Sequence, residues 1–458
     1  MIFFRQYDLA CLSLYSYLIG DSTTGRAVVV DPQRDIGEYL ADAAANGLTI
    51  ERVIETHFHA DFLSGHLELA AATGAVISYG SVARPDFDFE PLDHGARLSL
   101  GEVELEIRHT PGHTPESISV VVREHPGDEP WAVLSGDTLF IGDVGRPDLL
   151  TSVGRSADSL ARDLHRSLVE QILTLPDSTL VYPAHGAGSA CGKHLSTAAS
   201  STIGQERTSN YALVPMTDDE FVEVVTEGQT PAPLYFGFAA DANRRERPLL
   251  TDEDAPPELT IEAALVRRTE GAVLIDTRSP ESFASGHVRG SVNVGLDGRF
   301  AEYAGDIVRP GQQVVLLGDQ GRAAEARLRL ARIGFDDVVG AVSDIESVLA
   351  EHPAVSERAR RVPASDLAGW RHDLPDLQIV DVRNPGEIAE GTIPGAVAMP
   401  LPQLLDHLAE LDPASPTIVF CAGGYRSSTA ASTLRAHGFA VVADIIGGYG
   451  AWASLAAA

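Results

Sequence analysis

Residues 274–294, LIDTRSPESFASGHVRGSVNV, return at 379–399 as IVDVRNPGEIAEGTIPGAVAM, at a constant offset of 105 residues. A chain carrying such an internal copy must fold that region as two related domains. The alignment sets Asp276 against Asp381, Arg278 against Arg383, Pro280 against Pro385, Gly286 against Gly391 and Gly290 against Gly395. Each copy runs on into a second apolar segment, VVLLG (314–318) or TIVFC (417–421), and then a helical stretch. Two α/β domains are therefore predicted over 257–350 and 362–458. The charged, proline-rich segment NRRERPLLTDEDAPPEL (243–259) reads as a linker. Residues 1–242 are left as a separate domain, in keeping with 458 residues exceeding what one core usually holds.

Composition excludes several partners. The formal net charge is −31, from 34 basic and 65 acidic residues, and Lys193 is the single lysine. Such a surface repels nucleic acid and anionic membranes. No apolar run approaches the roughly 18 residues of a membrane span. The opening stretch MIFFRQYDLACLSLYSYLIG lacks a basic leader and reads as paired strands, so a cytoplasmic protein is expected. Three cysteines, Cys11, Cys191 and Cys421, are too few and odd in number for a disulfide framework.

Within 1–242, strand-like runs (AVVVDP, RVIET, EVELEIRHT, SISVVV, WAVLSGD, TLVYPAH) precede most of the His and Asp residues of interest. THFHAD (56–61) sets two imidazoles and a carboxylate on one turn. His113 in HTPGHTPES, Asp137 in LSGDTLF and His185 in VYPAHGAGS follow later strands. Imidazole and carboxylate suit zinc, iron and manganese. Four strand-end sites of one chemical type point to a metal centre.

These motifs, with SGDTLFIGDVGRPDL, resemble the metallo-β-lactamase superfamily, most closely its glyoxalase II and persulfide dioxygenase branch. An αββα fold is implied over roughly residues 1–240. Two-zinc members carry HxHxDH; here the residue after Asp61 is Phe62, which cannot ligate, and His66 is out of register. One metal is the simpler expectation. The resemblance implies one Fe(II) per chain on His57, His113 and Asp137, with three coordination positions open for substrate and dioxygen. His59, Asp61 and His185 then become groups that orient the ligands; a residual second zinc site is the alternative. Arg146 could pair with an anionic group of a thiol carrier, or make a structural salt bridge. Cys191 could be reactive if Lys193 favours its thiolate, or be packed and inert. Tyr182 could donate a hydrogen bond near the site, or belong to the core.

In TIVFCAGGYRSSTAA (417–431) a strand runs into Cys421, Gly423, Gly424, Tyr425 and Arg426, then a helix. Glycines let backbone N–H groups curl inward around the thiol, and Arg426 and the helix N-terminus add positive potential. A nucleophilic cysteine is expected. Residues 362–458 resemble the rhodanese family, in which the cysteine carries sulfane sulfur as a persulfide. Small residues and Tyr425 in the loop favour sulfur over a tetrahedral anion, with phosphatase or arsenate-reductase chemistry left open. Asp381 and Arg383 are expected to brace strand ends. In LLGDQGRAAEA (316–326), Arg322 is matched to Arg426 and the cysteine position falls at Leu317 or Gly318, so this copy is expected to be inactive.

The whole order resembles bacterial persulfide dioxygenase–sulfurtransferase fusions. That implies oxidation of a low-molecular-weight thiol persulfide by O2 to sulfite and thiol, with Cys421 passing sulfur to give thiosulfate, in sulfide detoxification. A homo-oligomer is compatible with it. The rival reading is a dinuclear zinc, glyoxalase II-like thioester hydrolase with an accessory sulfurtransferase.

Overall fold

The computed structural model describes residues 1–149, 156–250 and 255–456. They divide into two compact units: 1–229 with 236–250, and 230–235 with 255–456.

The first unit is built on two six-stranded sheets. One runs Ile2–Leu9, Leu14–Asp21, Arg26–Val30, Thr49–Ile54, Val76–Gly80, Glu90–Leu92; the other runs Ser201–Thr202, Leu180–Pro183, Ala132–Gly136, Ile118–Arg123, Glu104–His109, Arg97–Ser99. Alternation along each strand separates three apolar layers. Tyr17, Ile19, Val28 and Ile54 of the first sheet meet Leu105, Ile107, Val120 and Leu134 of the second. Their strand neighbours Leu18, Val29 and Val53 face outward onto Tyr39 and Ala43 of helix Gly37–Ala45. Val121, Val133 and Val181 face the other way onto Ala161, Leu164, Leu168, Ile172 and Phe221. This is the αββα arrangement. Helix Ala157–Ser167 continues as a π-type turn over Leu168–Ile172 and stops before Pro176.

The linker reading of 243–259 needs correction at its start. Asn243 is fully buried. Its amide donates to the carbonyls of His59 and Phe62, both at 2.8 Å, and its carbonyl accepts from Ser64 N at 2.9 Å. Arg247 pairs with buried Glu68 (2.6 and 3.0 Å), which also accepts from Leu250 N and Arg34. Charge made this stretch look solvated, whereas its arginine satisfies a buried carboxylate. Residues 251–254 of that segment, and 457–458 of the last predicted domain, lie outside the described residues.

In the second unit the repeat appears as two parallel sheets. The first orders Val292–Asn293, Val273–Asp276, Val314–Leu317, Val338–Val342; the second orders Val397–Ala398, Gln378–Asp381, Thr417–Phe420, Val442–Ile446, Arg360–Pro363. A single bridge from Glu258 to Ala341 stands where the second copy has its fifth strand. The aligned pairs do the same work in both. Arg278 grips Asp276 through two nitrogens (3.0 and 2.6 Å) and reaches Gly286 O; Arg383 grips Asp381 (3.0 and 2.7 Å) and reaches Gly391 O.

Replacing Asn243 by Ala leaves two buried carbonyls and one N–H unsatisfied. We expect Asn243→Ala to lower unfolding free energy by about 2 kcal/mol, read from the urea midpoint.

Candidate metal centre and cysteine loop

The turn after Thr49–Ile54 is held from beneath. Asp31, in the left-handed region at φ 51°, accepts from Thr56 N (2.7 Å) and Thr56 Oγ1 (2.8 Å). Thr56 Oγ1 in turn sits 3.0 Å from His57 Nδ1, leaving Nε2 to face inward. His113 Nδ1 donates to the carbonyl of Arg146 at 2.8 Å, which turns its Nε2 to within 3.4 Å of Asp137 Oδ2. His57 Nε2 lies 3.9 Å from the same oxygen. A partner on one ring nitrogen thus orients each imidazole for a ligand on the other. The loop carrying Arg146 passes flush under Asp137: a Cβ on Gly145 would stand 1.9 Å from Asp137 O, so only glycine fits.

On the far side of Asp137, its Oδ1 lies 3.3 Å from His185 Nε2, which is also 3.5 Å from Asp61 Oδ2; His185 Nδ1 is held by Ser13 O. The potential ligand atoms of His57, His113 and Asp137 lie within 4.8 Å of one another, as do those of His59, Asp61 and His185. All six are buried. His57 Nε2, His185 Nε2 and both Asp137 oxygens have no hydrogen-bond partner among the described residues. Polar atoms orphaned in this way are costly unless something satisfies them. Converging imidazole and carboxylate donors fit a divalent transition metal. Burial, reinforced by the neighbouring histidines, pushes the His57 pKa well down and keeps the ring in its neutral, ligating form.

His59 differs. Burial disfavours its imidazolium, but Asp31 (3.1 Å), Glu55 (3.6 Å) and Asp61 outweigh that and hold its pKa up to about 9. Phe62 packs its ring 4.4 Å from that of His59, an apolar wall where two-metal relatives of the motif place an imidazole.

The remaining expected site residues part company. Cys191 lies within the group Asp137, His185, Cys191, and burial, then Asp61 and Asp137, push its thiol pKa well up. The expected help from Lys193 is absent. That ammonium caps Val224 O and Glu227 O (2.6 and 2.8 Å) at the end of helix Asp218–Thr226 and lies over Tyr211. Arg146 is buried with both arms on Asp148 (2.7 and 2.7 Å) and a third bond to Ala190 O, so it clamps loops together, as a structural salt bridge would. Tyr182 belongs to the core between the sheets, against Phe4, Tyr17 and Trp131.

In the second unit, Cys421 caps strand Thr417–Phe420. Its Sγ accepts from Gly424 N at 3.1 Å and lies 3.6 Å from Ser427 Oγ. Gly424, at φ 111°, makes the bend that turns its N–H toward sulfur. Arg426 places both terminal nitrogens on Glu387, at 2.7 Å each. Cys421, Gly423, Tyr425 and Arg426 border a cavity of about 380 Å³. In the first repeat, strand register sets Leu317 opposite Asp276 as Phe420 is opposite Asp381. Gly318 therefore takes the cysteine's place. Arg322 keeps its match to Arg426 in the frame of the following helix, which ends alike in both copies (Phe335 N to Leu330 O, Phe439 N to Leu434 O), and it pairs with Asp297 and Glu325.

Asp31, Glu55, Glu387 and Asn243 escape a reading of the sequence. Asp31 closes a VVVDP strand and Glu387 stands at capping-box spacing from Asn384, so each left some signal; Asn243 left none.

Comparison with known proteins places both units. Residues 10–185 match the metallo-beta-lactamase superfamily, and 261–343 and 364–455 each match the rhodanese-like domain. Persulfide dioxygenase ETHE1, mitochondrial, from Bos taurus is 33% identical over 50% of this chain and 83% of its own; the Homo sapiens protein is 32% identical over 53% and 88%. A metallo-beta-lactamase crystal structure from Staphylococcus aureus subsp. aureus COL is 33% identical with a TM-score of 0.69, covering 74% of this chain and 98% of that one. Fold and site thus define a metallo-β-lactamase-fold metalloenzyme joined to a sulfurtransferase module. The chain belongs to the persulfide dioxygenase family of that superfamily and carries two rhodanese-like domains.

Thr56→Val removes the link between Asp31 and His57. We expect metal affinity to fall about 10–100-fold, measured by competition with a chromophoric chelator, whereas Asp137→Ala should retain almost no metal after dialysis.

Proposed function

We propose that the first unit oxidises a low-molecular-weight thiol persulfide with O2 at a single ferrous ion, and that Cys421 transfers sulfane sulfur, giving thiosulfate when sulfite is the acceptor. The observation that carries this reading is the buried set His57, His113 and Asp137, whose inward atoms are unsatisfied, beside a Phe62 that withholds a strong ligand from a second ion. Two imidazoles and one carboxylate are the donor set of mononuclear non-haem iron. When bound, ferrous iron supplies the one-electron chemistry that lets dioxygen react with a sulfur anion.

The protein's own groups supply the rest. Asp31, Thr56 and the Arg146 carbonyl hold the histidine rings in place. In balance, RSSH, O2 and H2O give RSH, sulfite and two protons, and the sulfur–sulfur bond is the one broken. At Cys421, the Gly424 N–H points at the sulfur and fixes its position at the mouth of the loop. The three cysteines are free, which accords with a reducing compartment, and we place the protein in the cytoplasm. No helix among the described residues is long and apolar enough to cross a membrane.

A second reading is a two-zinc thioester hydrolase. It is favoured by the group His59, Asp61 and His185, which is retained in ligating range.

Anaerobic purification followed by metal analysis and oxygen uptake decides between them. We expect about one iron per chain and persulfide-dependent oxygen consumption that produces sulfite. Two zinc ions with oxygen-independent thioester cleavage would establish the hydrolase instead. Cys421→Ser should abolish thiosulfate:cyanide sulfur transfer while leaving oxygen uptake intact.

A further inference from the structure

The cavity over Cys421 is not built by the cysteine's own repeat alone. Cys421, Tyr425 and Arg426 lie on one side; Gly298, Arg299 and Tyr303, from the repeat that lacks a cysteine, lie on the other. A second cavity of about 240 Å³ shares the side chains of Arg299, Tyr303 and Arg426. The two repeats are joined firmly at this place. Ser428 Oγ donates to Asn293 Oδ1 at 2.7 Å, Asn293 N donates to Ser432 Oγ at 2.9 Å, and the Tyr425 hydroxyl donates to Gly295 O. Asn293 is itself anchored to the carbonyls of Asp276 and Arg278. Helix Tyr425–Ala436, which presents the cysteine loop, therefore rests on the edge strand of the other copy.

Charge then singles out one residue. Arg426, the arginine of the cysteine loop, has both terminal nitrogens committed to Glu387. Across the cavity, Arg299 pairs through one terminal nitrogen with Glu302, but its buried Nε has no hydrogen-bond partner among the described residues. Its side chain is 30% exposed and lines the cavity, so the guanidinium reaches that space while its pair with Glu302 engages only one terminal nitrogen. A guanidinium in that state is suited to the oxygens of a small oxyanion.

We propose that Arg299 of the cysteine-less repeat, walled by Tyr303, binds the sulfur oxyanion that exchanges sulfur with Cys421, and so sets specificity for sulfite and thiosulfate. The inference rests on sulfur transfer at Cys421. In that step the lone pair on the sulfur of sulfite attacks the terminal sulfur of the Cys421 persulfide anion. A new sulfur–sulfur bond forms, the bond to Sγ breaks, and its electron pair stays on Sγ as thiolate. Thiosulfate leaves, and no external oxidant or reductant is needed. Arg299 holds the sulfite oxygens and offsets the repulsion between two anions; it is a specificity residue that takes no proton.

The test uses the full chain with Cys421 preloaded as persulfide, discharged either by sulfite or by uncharged dithiothreitol. For Arg299→Ala we expect the second-order rate with sulfite to fall about tenfold or more, while discharge by dithiothreitol stays within about twofold of wild type. Arg299→Lys, which keeps the charge, should recover much of the sulfite rate. Discharge by dithiothreitol, which also needs the cysteine loop, reports that the second unit of each variant chain is folded. Equal losses with both acceptors, or no loss with sulfite, would overturn the role of Arg299. If Cys421 of the wild-type chain never becomes persulfidated, the sulfur-transfer reading itself fails, a result separable from either.

Discussion

Burying ligand atoms that have nothing to bond is the constraint on which the first unit is organised. His57, His185 and Asp137 present inward atoms without hydrogen-bond partners in a region shut off from water. Left alone, such a cluster is penalised by desolvation. It persists because each group is held from behind: Asp31 through Thr56 for His57, a loop carbonyl for His113, and Ser13 O for His185. The αββα layers supply the rigidity, and the strand ends deliver the groups. The metal repays what the fold spends in collecting them.

The second unit separates stability from chemistry. Both repeats keep the buried Asp–Arg pair with nearly the same bond lengths and the same reach to a glycine carbonyl. The loop after the second apolar strand is what differs. Losing a thiol at Gly318 costs the first repeat its reactivity but none of the contacts that close its sheet. Freed from that role, its surface near Arg299 lies against its partner's cavity.

Much of this was legible in the sequence because it depends on local periodicity and on residue chemistry at strand ends. The repeat, the two families of strands, the His–Asp groups and the cysteine loop all follow from such signals. What stayed hidden depends on contacts between distant segments. Asn243 reads as the start of a charged linker, yet it secures a loop some 180 positions earlier. Lys193 stands two residues from Cys191 in sequence, but its long side chain leaves for a helix end. Residue type left the cysteine position open between Leu317 and Gly318, and only strand register places Gly318 beside the vanished thiol.

The latch made by Asn243 also bears on when the protein can become active during its synthesis. The turn bearing His57 and His59 leaves the ribosome early, but the amide that ties down the His59 and Phe62 carbonyls is translated 184 and 181 positions after them. A nascent chain still short of that point lacks the amide that ties the turn, so the turn is complete only in the finished first unit, after its last segment has folded back.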